Sequence, residues 1–156
     1  VTPRVGFGFD IHPFSDDPGR PLVLAGVTIE GRGLAGHSDA DAVAHAICDA
    51  LLGAAGLGDI GTHFPDDDPA YAGIESTRLL TRVVQTLAPE WEIANVDVTV
   101  VIEAPKLAPH RKEMERRLIE IVGAPVSVKA KRAEALGALG RREGVACFAV
   151  ALLLPR

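Results

Sequence analysis

Apolar positions along this chain recur with two different periods. Val5 to Ile11 reads as a first strand, with Gly6 and Gly8 on one face leaving room for a close neighbour. Leu22-Val23-Leu24 and Val27-Thr28-Ile29 flank Ala25-Gly26 and predict a short hairpin. Val43, Ile47, Leu51 and Ala54 then follow at helical spacing. Ser38 resembles the N-cap of that helix, Asp39 and Asp41 sit in its first turn, and Gly53 and Gly56 mark its exit. Gly58 to Pro69 is rich in Gly, Pro and Asp and reads as a loop. Glu75 to Leu87 predicts a second helix. Val96, Val98, Val100 and Ile102 alternate as one face of a strand, and Pro109 opens a third helix to about Val122. Val126 to Ala130 is a further strand, Glu134 to Arg142 is irregular, and Val145 to Leu154 is the last strand, apolar on both faces.

Strands and helices alternate with uneven connections and no internal repeat. The expected fold is α+β, an α/β sandwich: one mixed, mainly four-stranded sheet with helices on one face and a small hairpin outside, forming a single domain over residues 1–156. Three helices cover one face of such a sheet. A last strand that is apolar on both faces asks for another subunit on the opposite side, so an oligomer is expected.

Composition narrows the function classes. A chain of 156 residues with 47% apolar positions supports one core and is not disordered. The net charge of -5 and the absence of basic blocks argue against nucleic acid or anionic membranes as partners. No apolar run reaches membrane-spanning length and no signal peptide is apparent, which makes a cytoplasmic protein the expectation. Cys48 and Cys147 lie far apart in apolar settings and read as reduced core residues.

The candidate chemistry centres on Asp10-Ile11-His12. On a strand, the carboxylate and the imidazole share a face. With His45 as third ligand they match the two-His, one-carboxylate pattern of a catalytic zinc with an open position. Asp41, His45 and Asp49 are spaced by four. Asp41 or Asp49 could therefore accept the second N–H of a metal-bound His45; the same stripe also suits a solvated helix face with ordinary ion pairs. Free N–H groups at Ser38-Asp39, with His37 as an added donor, suit an anion, or form a plain N-cap. The acidic loop from Gly58 to Asp68 suits a polyhydroxylated, phosphorylated ligand, with Asp59 on hydroxyls, or is a simple surface loop. Ala104-Pro105-Lys106 follows a strand directly and could shape a pocket with a phosphate-binding lysine, or be a turn. Glu134 and the glycine-bounded Arg141-Arg142 complete the set: a diphosphate partner, or an ion-pair cluster.

Taken together, several ordered runs resemble the 2-C-methyl-D-erythritol 2,4-cyclodiphosphate synthases. They are Gly6 to His12, His37 to Asp41 through His45, Ala46 to Ala55, Leu57 to Gly61, Phe64 to Asp66, Asn95 to Thr99, Ala104 to Lys106, Leu136-Gly137, Gly140-Arg141 and Glu143 to Ala146. The resemblance implies a homotrimer with active sites between subunits, acting as a phosphorus–oxygen lyase in non-mevalonate isoprenoid biosynthesis. It implies one zinc per subunit on Asp10, His12 and His45, and magnesium or manganese on Glu134. His37 and Ser38 fall on substrate-holding positions, with His37 beside the reacting phosphates. Asp59, Ile60 and Gly61, with Phe64, Asp66 and Asp68, fall around the methylerythritol part. Ala104, Pro105, Lys106 and Leu107 fall on a cytidine pocket that a neighbouring subunit supplies. Arg141 and Glu143 fall near the trimer axis, beside a phosphate- or isoprenoid-binding cavity.

This chain departs from the resemblance in two places. A Thr-rich run before the metal-binding Glu is here Lys131-Arg132-Ala133, so Arg132 replaces a phosphate-contacting hydroxyl. Arginine is a stronger, charged donor there, unless it points away; Ala130 and Lys131 beside it fall on substrate-binding positions. Ala138 stands where an aromatic is usual, and Leu139 where a threonine is, which bears on the axial cavity. The implied reaction converts 4-diphosphocytidyl-2-C-methyl-D-erythritol 2-phosphate into the cyclic diphosphate with release of CMP. A water-activating zinc hydrolase and a trimeric nucleotide or isoprenoid-diphosphate sensor are the alternatives.

Overall fold

The computed structural model describes residues 2–156. Four strands form the main sheet: β1 (Arg4–Pro13), β4 (Trp91–Val101), β5 (Val126–Lys131) and β6 (Gly144–Pro155), in the order β1-β6-β4-β5. The β4–β5 pair is parallel and the other two pairs are antiparallel, so the sheet is mixed as expected. Strands β2 (Leu22–Leu24) and β3 (Val27–Ile29) form the separate hairpin. Helices α1 (Ala42–Ala55), α3 (Ser76–Leu87) and α4 (Arg111–Val122) are the three long ones. Two short turns of helix, α2 (Ile60–His63) and α5 (Gly137–Gly140), lie in segments expected to be irregular. Among the described residues no helix is long and apolar enough to cross a membrane.

The core lies between the sheet and the helices. Val96, Val98 and Val100 of β4 and Val145, Cys147, Ala149, Ala151 and Leu153 of β6 are buried there against Ile47, Leu51, Leu80 and Leu118. Cys48 and Cys147 are free thiols in this core, and burial pushes both pKa values well up. Among the described residues nothing covers the opposite face of the sheet. Phe7 and Ile11 of β1 are 62% and 53% exposed, and Val5, Phe9 and Val150 are exposed beside them.

The contact between β1 and α1 is made by main chain. A Cβ on Gly6 would stand 1.8 Å from the Ala50 carbonyl oxygen, and one on Gly8 1.9 Å from that of Ala46. No side chain fits in that space, so the helix axis is drawn against the strand. This close packing brings the two metal-ligand segments within reach of each other.

Helix α1 begins later than its sequence suggests. Its N-cap is Asp41, not Ser38. One Asp41 oxygen accepts from the N–H groups of Val43 and Ala44 at 3.1 Å and of Ala25 at 2.9 Å; the other accepts from Gly26 at 2.7 Å. Asp41 thereby caps the helix and ties the β2–β3 turn to it. Local signals for an N-cap are similar at both residues; the hairpin's need for an acceptor decides between them.

Candidate metal centre and flanking pockets

Asp10 and His12 point to one face of β1, and His45 meets them from the first turns of α1. His12 Nε2 lies 2.7 Å from Asp10 Oδ2; His45 Nδ1 lies 3.1 Å from Asp10 Oδ2 and 3.2 Å from His12 Nε2. One potential ligand atom from each residue thus converges on a single point. The outer nitrogens are tethered: His12 Nδ1 donates to the Ala35 carbonyl at 3.0 Å, and His45 Nε2 sits 2.8 Å from Ser76 Oγ. A carboxylate and two imidazoles, held from behind and meeting at one point, fit a divalent cation of the zinc type.

The three groups act electrostatically on one another. Burial raises the Asp10 pKa, but the His12 and His45 rings that face it outweigh that and leave it lowered. Burial works against a charged His12, yet the Asp10 contact outweighs it and the pKa is raised. Two expected partners of His45 are elsewhere. Asp41 is turned into the interior as a cap, its pKa pushed up to about 6 by burial and by the neighbouring Asp39 charge. Asp49 accepts from the Ile60 N–H at 2.8 Å, and burial raises its pKa. The stripe of residues spaced by four is present, but the His45 ring swings toward the sheet and away from both carboxylates. The helix start at Ser38-Asp39 expected to receive an anion is likewise absent, because α1 begins beyond it.

A cavity of about 440 Å³ opens in front of the triad. His12, His45, His37 and Ser38 line one side, and Ile60, Gly61, Phe64 and Asp66 line the other. His37 donates through Nε2 to the Asp68 carbonyl at 2.8 Å. Asp59 and Asp68 do not line this cavity. Asp59 is exposed and accepts from the Thr62 N–H and hydroxyl, bonds that lower its pKa; Asp68 caps a 3₁₀ turn through the Ala70 N–H. Arg20, not singled out from the sequence, donates to the carbonyls of Leu34, Gly36 and Ser38 and so fastens the loop that carries His37. Its isolated position in a Pro-Gly-rich loop gives no local hint of that role.

A second cavity, of about 160 Å³, is lined by Pro105, Lys106, Leu107, Ala130, Lys131 and Arg132, among others. It shares no lining residue with the first. Ala104 faces an adjoining hollow with Phe14, Arg32 and Arg142. Glu134 is exposed in a left-handed turn with Ala135, at φ values of 55° and 60°. Ala138 and Arg141 lie on and after α5, outside both cavities, and Arg141 Nε pairs with Glu143 at 2.7 Å.

Comparison with known proteins bears on this geometry. The model of the YgbB family matches residues 3–154. The chain belongs to the YgbB family. Among curated relatives, the 2-C-methyl-D-erythritol 2,4-cyclodiphosphate synthase of Desulfatibacillum aliphaticivorans is 55% identical, covering 96% of this chain and 99% of that protein. The Symbiobacterium thermophilum protein of the same name is 54% identical over 97% and 99%. Among solved structures, the Plasmodium falciparum IspF CDP complex superposes with a TM-score of 0.86 at 34% identity, covering 99% of this chain and 97% of that one. The bifunctional IspDF of Campylobacter jejuni gives a TM-score of 0.92 at 38% identity; the match covers 97% of this chain and 42% of that longer one.

Proposed function

We propose that this YgbB-family chain is a cyclodiphosphate synthase. The observation that carries this reading is the Asp10–His12–His45 convergence at the mouth of a substrate-sized cavity, in a chain that matches named synthases nearly end to end. The proposed substrate is 4-diphosphocytidyl-2-C-methyl-D-erythritol 2-phosphate. An oxygen of its 2-phosphate bonds to the β-phosphorus; the bond from that phosphorus to the bridging oxygen breaks, and CMP leaves with that oxygen. Asp10, His12 and His45 would hold a zinc ion, which would supply Lewis acidity to the β-phosphate, and Glu134 would hold magnesium or manganese, which would supply charge for the diphosphate.

The chain's own residues hold the substrate in register for this in-line displacement. His37 and Ser38 contact the phosphates, and Phe64, Ile60 and Gly61 enclose the methylerythritol part. Lys106 and the 104–107 segment receive the cytidine end, and Arg132 donates to a phosphate where a neutral hydroxyl would be weaker. The CDP bound in a structural neighbour is consistent with a nucleotide pocket on this fold.

The active unit in this reading is a homotrimer of a single domain spanning 1–156. Two facts support it: the exposed apolar face of β1 and β6, and the separation of the triad cavity from the Lys106 cavity within one chain. A site between copies joins one cavity to the other. Incubation with the substrate, with and without chelator, followed by phosphorus NMR tests the function. Chelator-sensitive CMP and a cyclic diphosphate are expected. Linear products would make the protein a hydrolase, and nucleotide binding without turnover would make it a sensor.

A further inference from the structure

We infer that Asp39, acting through the hydroxyl of Ser76, fixes the tautomer of His45 and so presents its Nδ1 lone pair to the metal. This deepens the metal-centre reading and rests on it. Both are positioning residues, because neither touches the cation or the substrate.

Asp39 Oδ1 receives three donors: the Asp41 N–H at 3.2 Å, the Ser76 N–H at 3.2 Å and the Ser76 hydroxyl at 2.5 Å. A carboxylate only accepts, and a serine hydroxyl has a single proton. That proton is given to Asp39. Toward His45 Nε2, at 2.8 Å, Ser76 Oγ is therefore left as an acceptor. The Nε2 atom, closer to this acceptor than to Ser38 Oγ at 3.2 Å, is thereby assigned the ring's hydrogen. In the neutral imidazole, Nδ1 is then unprotonated, and it is Nδ1 that faces Asp10 Oδ2 and His12 Nε2.

The neighbouring groups close the network. Ser38 Oγ accepts from the Ala40 N–H at 3.2 Å and lies 3.1 Å from Ser76 Oγ and 3.2 Å from His45 Nε2; with its proton given to Ser76, its oxygen is a second acceptor beside Nε2. Ser76 is fully buried, and among the described residues no buried side-chain polar atom lacks a partner. Buried and engaged by protein groups on each side, the hydroxyl is held in this direction by its partners.

The two histidines differ in a way that gives Asp39 its role. The outer nitrogen of His12 faces a backbone carbonyl, which can only accept, so its tautomer is set directly. The outer nitrogen of His45 faces two hydroxyls, Ser76 Oγ at 2.8 Å and Ser38 Oγ at 3.2 Å, each of which can donate or accept. The carboxylate behind the nearer one fixes the direction of that bond. A cap for α3 would need the Ser76 N–H alone; the hydroxyl bond and its continuation to the ring exceed that need.

The test uses ¹⁵N-histidine-labelled whole protein, metal-free, at about pH 8, above the ordinary imidazole pKa. Long-range proton–nitrogen correlation reads the His45 tautomer, and chelator competition reads the zinc affinity. Wild type is expected as the Nε2–H form. In Ser76→Ala the remaining partner is the Ser38 hydroxyl, which can donate or accept, so both tautomers appear and zinc binds about 10- to 100-fold more weakly. Asp39→Ala frees the Ser76 hydroxyl and is expected to do the same. A folded Ser76→Ala with wild-type tautomer and zinc affinity overturns the inference, as does an Nδ1–H wild type. Because the tautomer is read without substrate or metal, loss of the synthase reading alone leaves this result standing.

Discussion

Arg132 reaches a single oxygen of the buried Glu103 carboxylate with two nitrogens, Nε at 2.9 Å and Nη2 at 2.7 Å. Glu103 accepts in addition from the Ala135 N–H at 3.4 Å, so one carboxylate holds both Arg132 and the turn that carries Glu134. Burial raises the Glu103 pKa, but the Arg132 bond and charge outweigh it, and the net shift is downward. A carboxylate with a lowered folded pKa stabilises above its unfolded value and loses that contribution as pH falls through the folded one. Glu103→Gln should therefore unfold at a lower temperature than wild type at neutral pH. The gap should close as pH drops below the ordinary glutamate value of 4.5, as followed by thermal melts across pH. Released from Glu103, Arg132 should also bind substrate less well, seen as a higher KM.

Removing a metal ligand should separate chemistry from folding. His45→Ala is expected to retain circular dichroism and assembly, to lose stoichiometric zinc by elemental analysis, and to show only background turnover. Full activity in that variant would end the zinc assignment.

Asp41 predicts the reverse pattern. Its two oxygens serve four backbone N–H groups from α1 and the β2–β3 turn. Asp41→Ala strips a helix cap and leaves buried donors unpaired, which should cost about 3 kcal/mol in denaturant unfolding. Zinc affinity should change only as far as the fold loosens.

Phe7→Asp places a charge on the uncovered apolar face of the sheet. Sedimentation should move from a trimer to a monomer, with activity falling in step. A fully active monomer would remove the case for sites between subunits.

The sheet and two of the three triad residues were legible for local reasons, while His45 joined them through the family resemblance. Asp10 and His12 are two apart on a strand, and period two alone places them together. The three long helices likewise show in their apolar spacing. What was hidden is non-local. Ser76 lies 31 residues from His45, and nothing near either residue announces the contact. Asp41 and Asp49 look like the natural partners of His45 because they share its stripe, yet each answers a backbone N–H from another segment. Helix α2 is hidden in a run of turn formers and exists through the Asp59 cap.

Gly6 and Gly8 touch no proposed ligand, yet they set the separation of β1 from α1. Gly8→Ala should destabilise the fold severely, because the added methyl meets main chain and not a side chain that can turn aside. The same rigidity bears on inhibition. A compound filling the cavity before the triad could not be evaded by widening the cleft between that strand and helix, since no single side chain there can be trimmed to make room. Resistance would have to arise elsewhere in the cavity lining, as in the 60–66 wall, where side chains such as Asp66 and not main chain form the boundary.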